Sequence, residues 1–484
     1  MLARSERRSV VAMLALAGCA VGPNFVRPEA PRTQAYTSDE HAAATTPSAS
    51  AQRIETSNRL PPDWWHLLRC PRLDAFVSDA LARNPSLDAA EASLRRSEDA
   101  LRAGYGVFFP GADAAGGISR QRSSPARAAS ALPPSVFNLF TLSASVSYAL
   151  DVWGGQRRTI EGLRADVEAQ RDALAGAQLL LAAHVVNTVI AEAAYREQRD
   201  ATLALVALEE DQVRLGRAQA EAGTVPYSSV LGLESQTAAT RATLPGLEQK
   251  MDQAQHLLAT LTGRLPGEWS PPPVTLSDMT LPAAIPVSLP SELVRQRPDI
   301  LIAEARLHAS SAQIGVATAA MLPSFTLSAS YGAASLAAAN LGADGSRFWS
   351  VGAGVTQPVF HGGALHQQRR AAIDARDEAS ANYRQTVLAA FAQVADGLRA
   401  IGHDAETLDA ESAALDSAQS ALRLVQIDYD AGLANYLQVI VANEQYLQSR
   451  LGHIEARAQQ LQDTVALFVA VGGGWWNTSD ARAR

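Results

Sequence analysis

Between Phe140 and Leu150 the chain alternates. Phe140, Leu142, Ala144, Val146, Tyr148 and Leu150 are apolar, and Thr141, Ser143, Ser145, Ser147 and Ala149 stand between them. A period of two belongs to an extended strand with one greasy and one wettable face. The pattern returns in Phe325, Leu327, Ala329 and Tyr331 against Thr326, Ser328 and Ser330. It returns again in Trp349, Val351, Ala353 and Val355 against Ser350, Gly352, Gly354 and Thr356. Elsewhere the period is helical. Helices are predicted over 86–109, stopped by Pro110, then over 156–222 and 227–261; a second set covers 299–322, 366–430 and 435–469. Hairpins fall at about 111–151 and 324–360. At a rise of about 1.5 Å per residue the two longest helices reach on the order of 100 Å, far beyond a globular helix. The two shorter helices of each half nearly match the long one in length, so they can stack end to end and lie antiparallel beside it.

These elements form a duplicated helix-strand-strand-helix-helix unit. Asn84-Pro85-Ser86-Leu87 matches Arg297-Pro298-Asp299-Ile300, and the same offset pairs Pro110 with Pro323. Leu150 to Gly155 matches Pro358 to Gly363. Ala222-Gly223, Tyr227 and Val230 match Ala431-Gly432, Tyr436 and Val439. The expected organisation is a signal peptide over 1–18, an anchor and extended tether over 19–62, a first repeat over 63–265, a linker over 266–290, a second repeat over 291–471 and a tail over 472–484.

The strands bring in a membrane. Alternation alone fits a half-buried soluble sheet equally well, but a chain with four such strands cannot close a barrel, which takes about eight or more. An edge left open in lipid is not tolerated, so several chains must share one wall. The loop over 120–134 and the loop over 332–345 would face outward at the hairpin tips. The apolar stretch 179–191 carries His184 and Asn187, so no transmembrane helix is expected.

Arg4, Arg7 and Arg8 precede the apolar stretch Val10 to Leu16 and then Leu16-Ala17-Gly18-Cys19. That is a secretory signal with a lipoprotein-type cleavage site, and the mature chain would begin at an acylated Cys19. The rival is an ordinary signal with an incidental cysteine. Cys70, the other cysteine, then has no disulfide partner and reads as a small hydrophobe. With a net charge of -8 and no basic stretch, the chain is a poor match for nucleic acid.

In these pieces the chain resembles the TolC-like outer-membrane efflux proteins, and most closely their lipoprotein branch, the OprM and NodT type. Six segments carry the resemblance in order: Gly18-Cys19-Ala20-Val21-Gly22-Pro23-Asn24-Phe25, Asp63-Trp64-Trp65, Leu289-Pro290-Ser291-Glu292-Leu293, Arg297-Pro298-Asp299, Pro358-Val359-Phe360-His361-Gly362-Gly363 and Tyr383-Arg384-Gln385-Thr386-Val387-Leu388. The resemblance implies a mostly α fold with a small membrane β-barrel portion. It implies a homotrimer with about twelve strands in one barrel and about twelve helices in a periplasmic tunnel. It also implies a lipid on Cys19 as the only attached group, and as partners a periplasmic adaptor, an inner-membrane pump of the resistance-nodulation-division type and outer-membrane lipid.

Function would then sit at the tips of the helix pairs. Gly223, Thr224, Val225, Pro226 and Tyr227 form one tip, and Gly432, Leu433, Ala434, Asn435 and Tyr436 form the other. By resemblance these tips meet the adaptor and narrow the pore. The acidic residues that constrict many members would fall at Ser229, Ala434, Gln438 and Val441, none of which is acidic. The expected alternative is an apolar constriction around Leu433, Tyr429 and Tyr436. Enzyme chemistry finds no footing in the sequence. The nine His residues show no ligand spacing, His361 and His366 only flank a Gly-Gly turn at a strand-helix junction, and Gly472-Gly473-Gly474 follows a helix with no strand before it. Export of small hydrophobic or amphiphilic compounds is the leading function; a protein-secretion duct and a periplasmic coiled-coil lipoprotein are the alternatives.

Overall fold

The computed structural model describes residues 20–33, 35–37, 51–57, 60–122 and 135–477; Cys19, the signal segment and most of the 120–134 loop lie outside them. In chain order the longer helices are α1 (Pro71–Arg83), α2 (Pro85–Gly104), α3 (Gly155–Glu221), α4 (Tyr227–Ala242), α5 (Leu244–Leu261), α6 (Pro298–Ala319), α7 (Ala364–Asp430) and α8 (Tyr436–Ala470). The strands are β1 (Arg53–Thr56), β2 (Gly111–Arg122), β3 (Val136–Leu150), β4 (Ala284–Val287), β5 (Ser324–Ser335) and β6 (Arg347–Thr356). Packing groups the chain into two units, and each takes segments from both halves of the repeat.

The first unit holds the described residues up to Pro28, with Leu94–Gln170 and Ala303–Tyr383. Its centre is an antiparallel sheet in the order β2-β3-β5-β6. Register puts like faces together: Tyr148 stands opposite Leu327, Phe325 opposite Val355 and Tyr331 opposite Trp349. The other face carries hydroxyls, and the Ser330 and Ser350 hydroxyls lie 2.8 Å apart. Every residue of β2 and β6 is exposed, and Trp349, Val351 and Val355 are open to the outside. Among the described residues nothing covers this greasy face.

Where the sheet meets α3, Asp151 accepts from the backbone N–H groups of Gln156 (2.9 Å) and Arg157 (3.0 Å), and so caps the helix. The Trp153 indole donates to the Pro323 carbonyl at 2.8 Å. The chain just after the expected anchor is clamped beside this junction. Val21 N–H donates to Trp153 O, buried Arg158 donates to Val21 O (3.2 Å) and Asn24 Oδ1 (2.7 Å), and Phe25 stacks on His308 at 4.4 Å. Gly22, at φ +93°, lies so near Gly315 that a Cβ there would sit 2.5 Å from its Cα.

The second unit holds Glu29–Ser93, Arg171–Ile302 and the chain from Arg384 onward. Its core gathers Trp64, Leu68, Leu73, Val185, Val189, Ile190, Ile285, Leu461 and Phe468. The helix Gly155–Glu221 contains a stretch apolar enough to cross a membrane by length and composition; here Val185, Val186, Val189, Ile190 and Ala193 are buried in this core instead. Cys70 is buried in the same core, as its reading as a small hydrophobe expects. Arg297 is buried and donates to Ala470 O (2.8 Å), Gln393 and Asp299 (2.7 Å).

Several expectations need correction. The segment taken as an extended tether contains β1, which pairs in parallel with β4, and Leu60 is in the core. Helix α1 was not anticipated, because its apolar positions Leu73, Phe76, Val77 and Ala80 cover barely two turns of sequence. The helix expected over 227–261 breaks at Thr243, since Pro245 has no N–H to continue the ladder. The helix expected to reach 109 ends at Gly104 and tightens into a 3-10 turn, Tyr105–Phe108. Gly472-Gly473-Gly474 is not a free tail. Gly474, at φ +76°, sits against the Leu60 and Pro61 carbonyls, and the Trp475 indole donates to Gln296 O at 2.7 Å.

This packing has two measurable outcomes. Trp64→Ala empties the largest fully buried site and should cost about 3–5 kcal/mol, seen as a lowered thermal midpoint with unchanged helix content. Asp404, on α7, lies beside Asp463 of α8, and burial together with that neighbour pushes its carboxyl up to about 7. The unfolded chain would ionise it near the ordinary value of about 3.9, so the native state holds the extra proton between these values and loses stability as pH rises through them. Asp404→Asn should therefore flatten the melting temperature across pH 4 to 8 and raise it at the alkaline end.

Candidate functional site

Each helix tip is a turn that its own backbone closes. At the end of α3, Thr224 N–H donates to Gln219 O (2.9 Å) and Gly223 N–H to Ala220 O (3.0 Å). At the end of α7, Leu433 N–H donates to Asp428 O (2.7 Å) and Gly432 N–H to Tyr429 O (3.0 Å). These are paired Schellman caps, and both need a left-handed residue at the same place. Gly223 at φ +73° and Gly432 at φ +75° provide it without a Cβ penalty. The next helices start differently. Pro226 precedes α4 and supplies no side-chain cap, whereas Asn435 and Gln438 cap α8 reciprocally, Asn435 Oδ1 accepting from Gln438 N–H and Gln438 Oε1 from Asn435 N–H.

The side chains around these turns divide into two groups. Leu433 is 81% exposed and Tyr227 63%. A Schellman turn commonly buries its last residue against an apolar one five positions back, but Leu433 faces Asp428 in that relation, so its turn makes no use of it. Leu437 and Val441 are exposed one turn apart on α8, and Leu433 is exposed in the turn that precedes it. Val225 and Ala434 are half-buried, and Thr224 turns its hydroxyl back to Gln219 O at 2.8 Å. Tyr429 does the opposite of Leu433: it is only 5% exposed, and its hydroxyl lies 3.6 Å from where Gly216 of α3 would carry a Cβ. Burial, with Asp430 beside it, holds its phenol above the usual range. Tyr436 lies over Gly232 of α4, where an added Cβ would meet its ring at 2.8 Å. Of the three residues expected at an apolar constriction, only Leu433 is open to another molecule; the two tyrosines pack across from the α7–α8 pair onto glycines of the α3–α4 pair. Ser229, one position where an acid was expected by resemblance, is itself buried.

Behind the tips lies a polar layer that the sequence did not announce. Asn443 Nδ2 donates to Gln212 Oε1 at 2.7 Å, tying α8 to α3 through two buried amides. Glu209, 2% exposed on α3, accepts from Thr240 of α4 at 3.1 Å, and burial, with Glu444 nearby, raises its carboxyl above the usual range. No spacing rule marks a Gln and an Asn that lie far apart in sequence. On the surface of the same region, Arg217 pairs with Glu234 and Arg241 with Glu210, lining a groove of about 510 Å³. Such exposed pairs steer association more than they stabilise.

A family model described as "Outer membrane efflux protein" matches residues 76–264 and 289–473, one segment for each half of the repeat. The toluene efflux pump outer membrane protein TtgF of Pseudomonas putida is 30% identical over 479 residues, covering 97% of each chain. The pyoverdine export outer membrane protein OpmQ of Pseudomonas aeruginosa is 30% identical over 427 residues, covering 87% of this chain and 89% of that one. Among solved structures, the outer-membrane channel OprN gives a TM-score of 0.83 at 27% identity, covering 94% of this chain and 100% of that chain.

The amide pair behind the tips generates a cycle. Asn443→Leu alone leaves the Gln212 amide buried without its partner, at a cost of about 1–3 kcal/mol, whereas Gln212→Leu with Asn443→Leu should recover much of that loss in thermal unfolding.

Proposed function

The chain belongs to the outer membrane efflux protein family, and we propose that it is the exit duct of a tripartite resistance-nodulation-division pump, a homotrimer held to the outer membrane through an acylated Cys19. It is an outer-membrane channel protein of a family of channels, not of enzymes. The observation that carries the reading is the four-stranded sheet, greasy on one face, hydroxylated on the other and open at both edges. Three copies edge to edge would give hydrocarbon its outer face and cargo its inner one.

The cargo would be small hydrophobic or amphiphilic compounds. TtgF is named for toluene and OpmQ for pyoverdine, chemically unlike molecules on similar chains. That contrast supports a permissive duct, with selection left to the inner-membrane pump. The helix tips are the adaptor contact and the narrow point in this reading. With Ser, Ala, Gln and Val where acids were expected, closure rests on apolar contact at Leu433, while Tyr429 and Tyr436 hold the helix pairs rigid behind it.

Expression in a Gram-negative host lacking its own efflux channel, beside a compatible pump and adaptor, should restore resistance to hydrophobic antibiotics. Unchanged susceptibility with correctly localised protein would count against the reading. In planar bilayers Leu433→Ser should raise the open probability of the purified trimer several-fold. A trimer whose conductance ignores that change closes by some other contact.

A further inference from the structure

The internal repeat carries more than ancestry: it fixes how one copy of this sheet meets the next. Two constant offsets relate the halves. Up to the first strand of each hairpin the offset is 213, since α2 and α6 begin at Pro85 and Pro298 and β2 and β5 span Gly111–Arg122 and Ser324–Ser335. From the long helices onward it is 209, since α3 and α7 span Gly155–Glu221 and Ala364–Asp430 and the tip glycines are Gly223 and Gly432. The match of Leu150–Gly155 to Pro358–Gly363 is therefore one residue out of step with the fold, which sets Gly154 (φ +76°) against Gly363 (φ +83°).

The hairpins within the chain obey these offsets. In the first half Gly111 pairs with Ser147. Shifting Gly111 by 213 and Ser147 by 209 gives Ser324 opposite Thr356, and that is the register observed. The same operation applies to the contact between the halves, β3 with β5, and yields the one contact a single chain cannot make: β6 with the β2 of a neighbouring copy.

Resting on the trimeric reading above, we propose that the subunit seam is an antiparallel β6–β2 ladder in which Ala353 stands opposite Ile118 of the neighbouring copy and Trp349 opposite its Arg122. The template pairs are Ala144 with Tyr331 and Phe140 with Ser335. Side-chain facing agrees independently. Ala353, Trp349 and Val351 share the greasy face of β6, and Ile118, Arg120 and Arg122 share the face of β2 that the hairpin aligns with Phe140, Leu142 and Val136. A slip of one residue would turn one strand's apolar set inward, so the register is held by lipid as well as by descent from the repeat. Trp349 beside an arginine at the outer end of the seam gives an aromatic ring and a cation together where the hydrocarbon ends. The seam lacks one feature of its template. Trp153, which bonds Pro323 O inside the chain, corresponds to Gly362, so no indole reaches Pro110 of the neighbour.

Cysteine cross-linking tests the register. On a Cys70→Ser background, Ala353→Cys with Ile118→Cys should form a disulfide between copies under mild oxidation and give covalent trimers on denaturing gels. Ala353→Cys with Gly116→Cys, or with Arg120→Cys, keeps both thiols on the same face two residues out of step and should cross-link at least several-fold less. Each single-cysteine variant must run as a trimer before heating, which guards against a folding defect. Preferential cross-linking of a displaced pair, or none at the predicted pair in a trimer, overturns this register and leaves the trimer standing. A protein that stays monomeric in detergent sinks the trimeric reading and the seam with it.

Discussion

Hydrocarbon offers no hydrogen bonds, and that one constraint governs the chain. A strand edge facing lipid leaves its N–H and C=O groups unmatched at several kcal/mol each. This polypeptide makes two such edges, on β2 and β6, and holds them in a sheet whose like faces are in strict register. A soluble protein would blunt such edges with charge, proline or a covering helix. None of these sits along the middle of β6, whose residues after the opening Arg are Phe, Trp, Ser, Val, Gly and Ala with a closing Thr. The edges are made to be used.

The rest of each unit holds its own segments in place. The Asp151 cap and the Trp153 bond tie sheet to helix where the chain leaves the greasy zone. Arg158, Gly22 and Phe25 hold the chain from Val21 to Phe25 at a definite place beside the sheet. In the other unit Arg297, with bonds to a helix-end carbonyl, an amide and a carboxylate, explains why Arg297-Pro298-Asp299 appears as a motif. Its guanidinium needs that full set of partners to be buried at all.

What the sequence revealed and what it hid follow from the range of the interactions involved. Strand alternation and the tip glycines are local matters, and both were legible: the wall of β3, β5 and β6 and the turns at Gly223 and Gly432 stand where the pattern set them. The burial of Tyr429 was not legible, because a tyrosine near a tip reads alike whether it faces a pore or packs over a glycine such as Gly216 on another helix. The Gln212–Asn443 pair and the β1–β4 pairing join residues far apart in sequence, and no periodicity marks them. The break at Thr243 had a visible cause in Pro245, but a proline within the first turn of a helix permits a break as readily as it marks one. The repeat is legible in outline, but near the second Gly-Gly turn both glycines match one residue out of step, whereas only Gly154 and Gly363 match in the frame of the fold.

The strand register also sets the bore. Ala114 pairs with Ala144, Ala144 pairs with Tyr331, and Tyr331 is the counterpart of Ile118, so a path perpendicular to the strands climbs four residues with each hairpin. A closed wall with that shear must lean its strands steeply, and tilt together with strand number fixes the diameter of a barrel. The width of the passage is thus written in backbone hydrogen bonds rather than in the side chains that line it. Substitutions on the inner face can change what the surface prefers, yet none of them can widen the pipe.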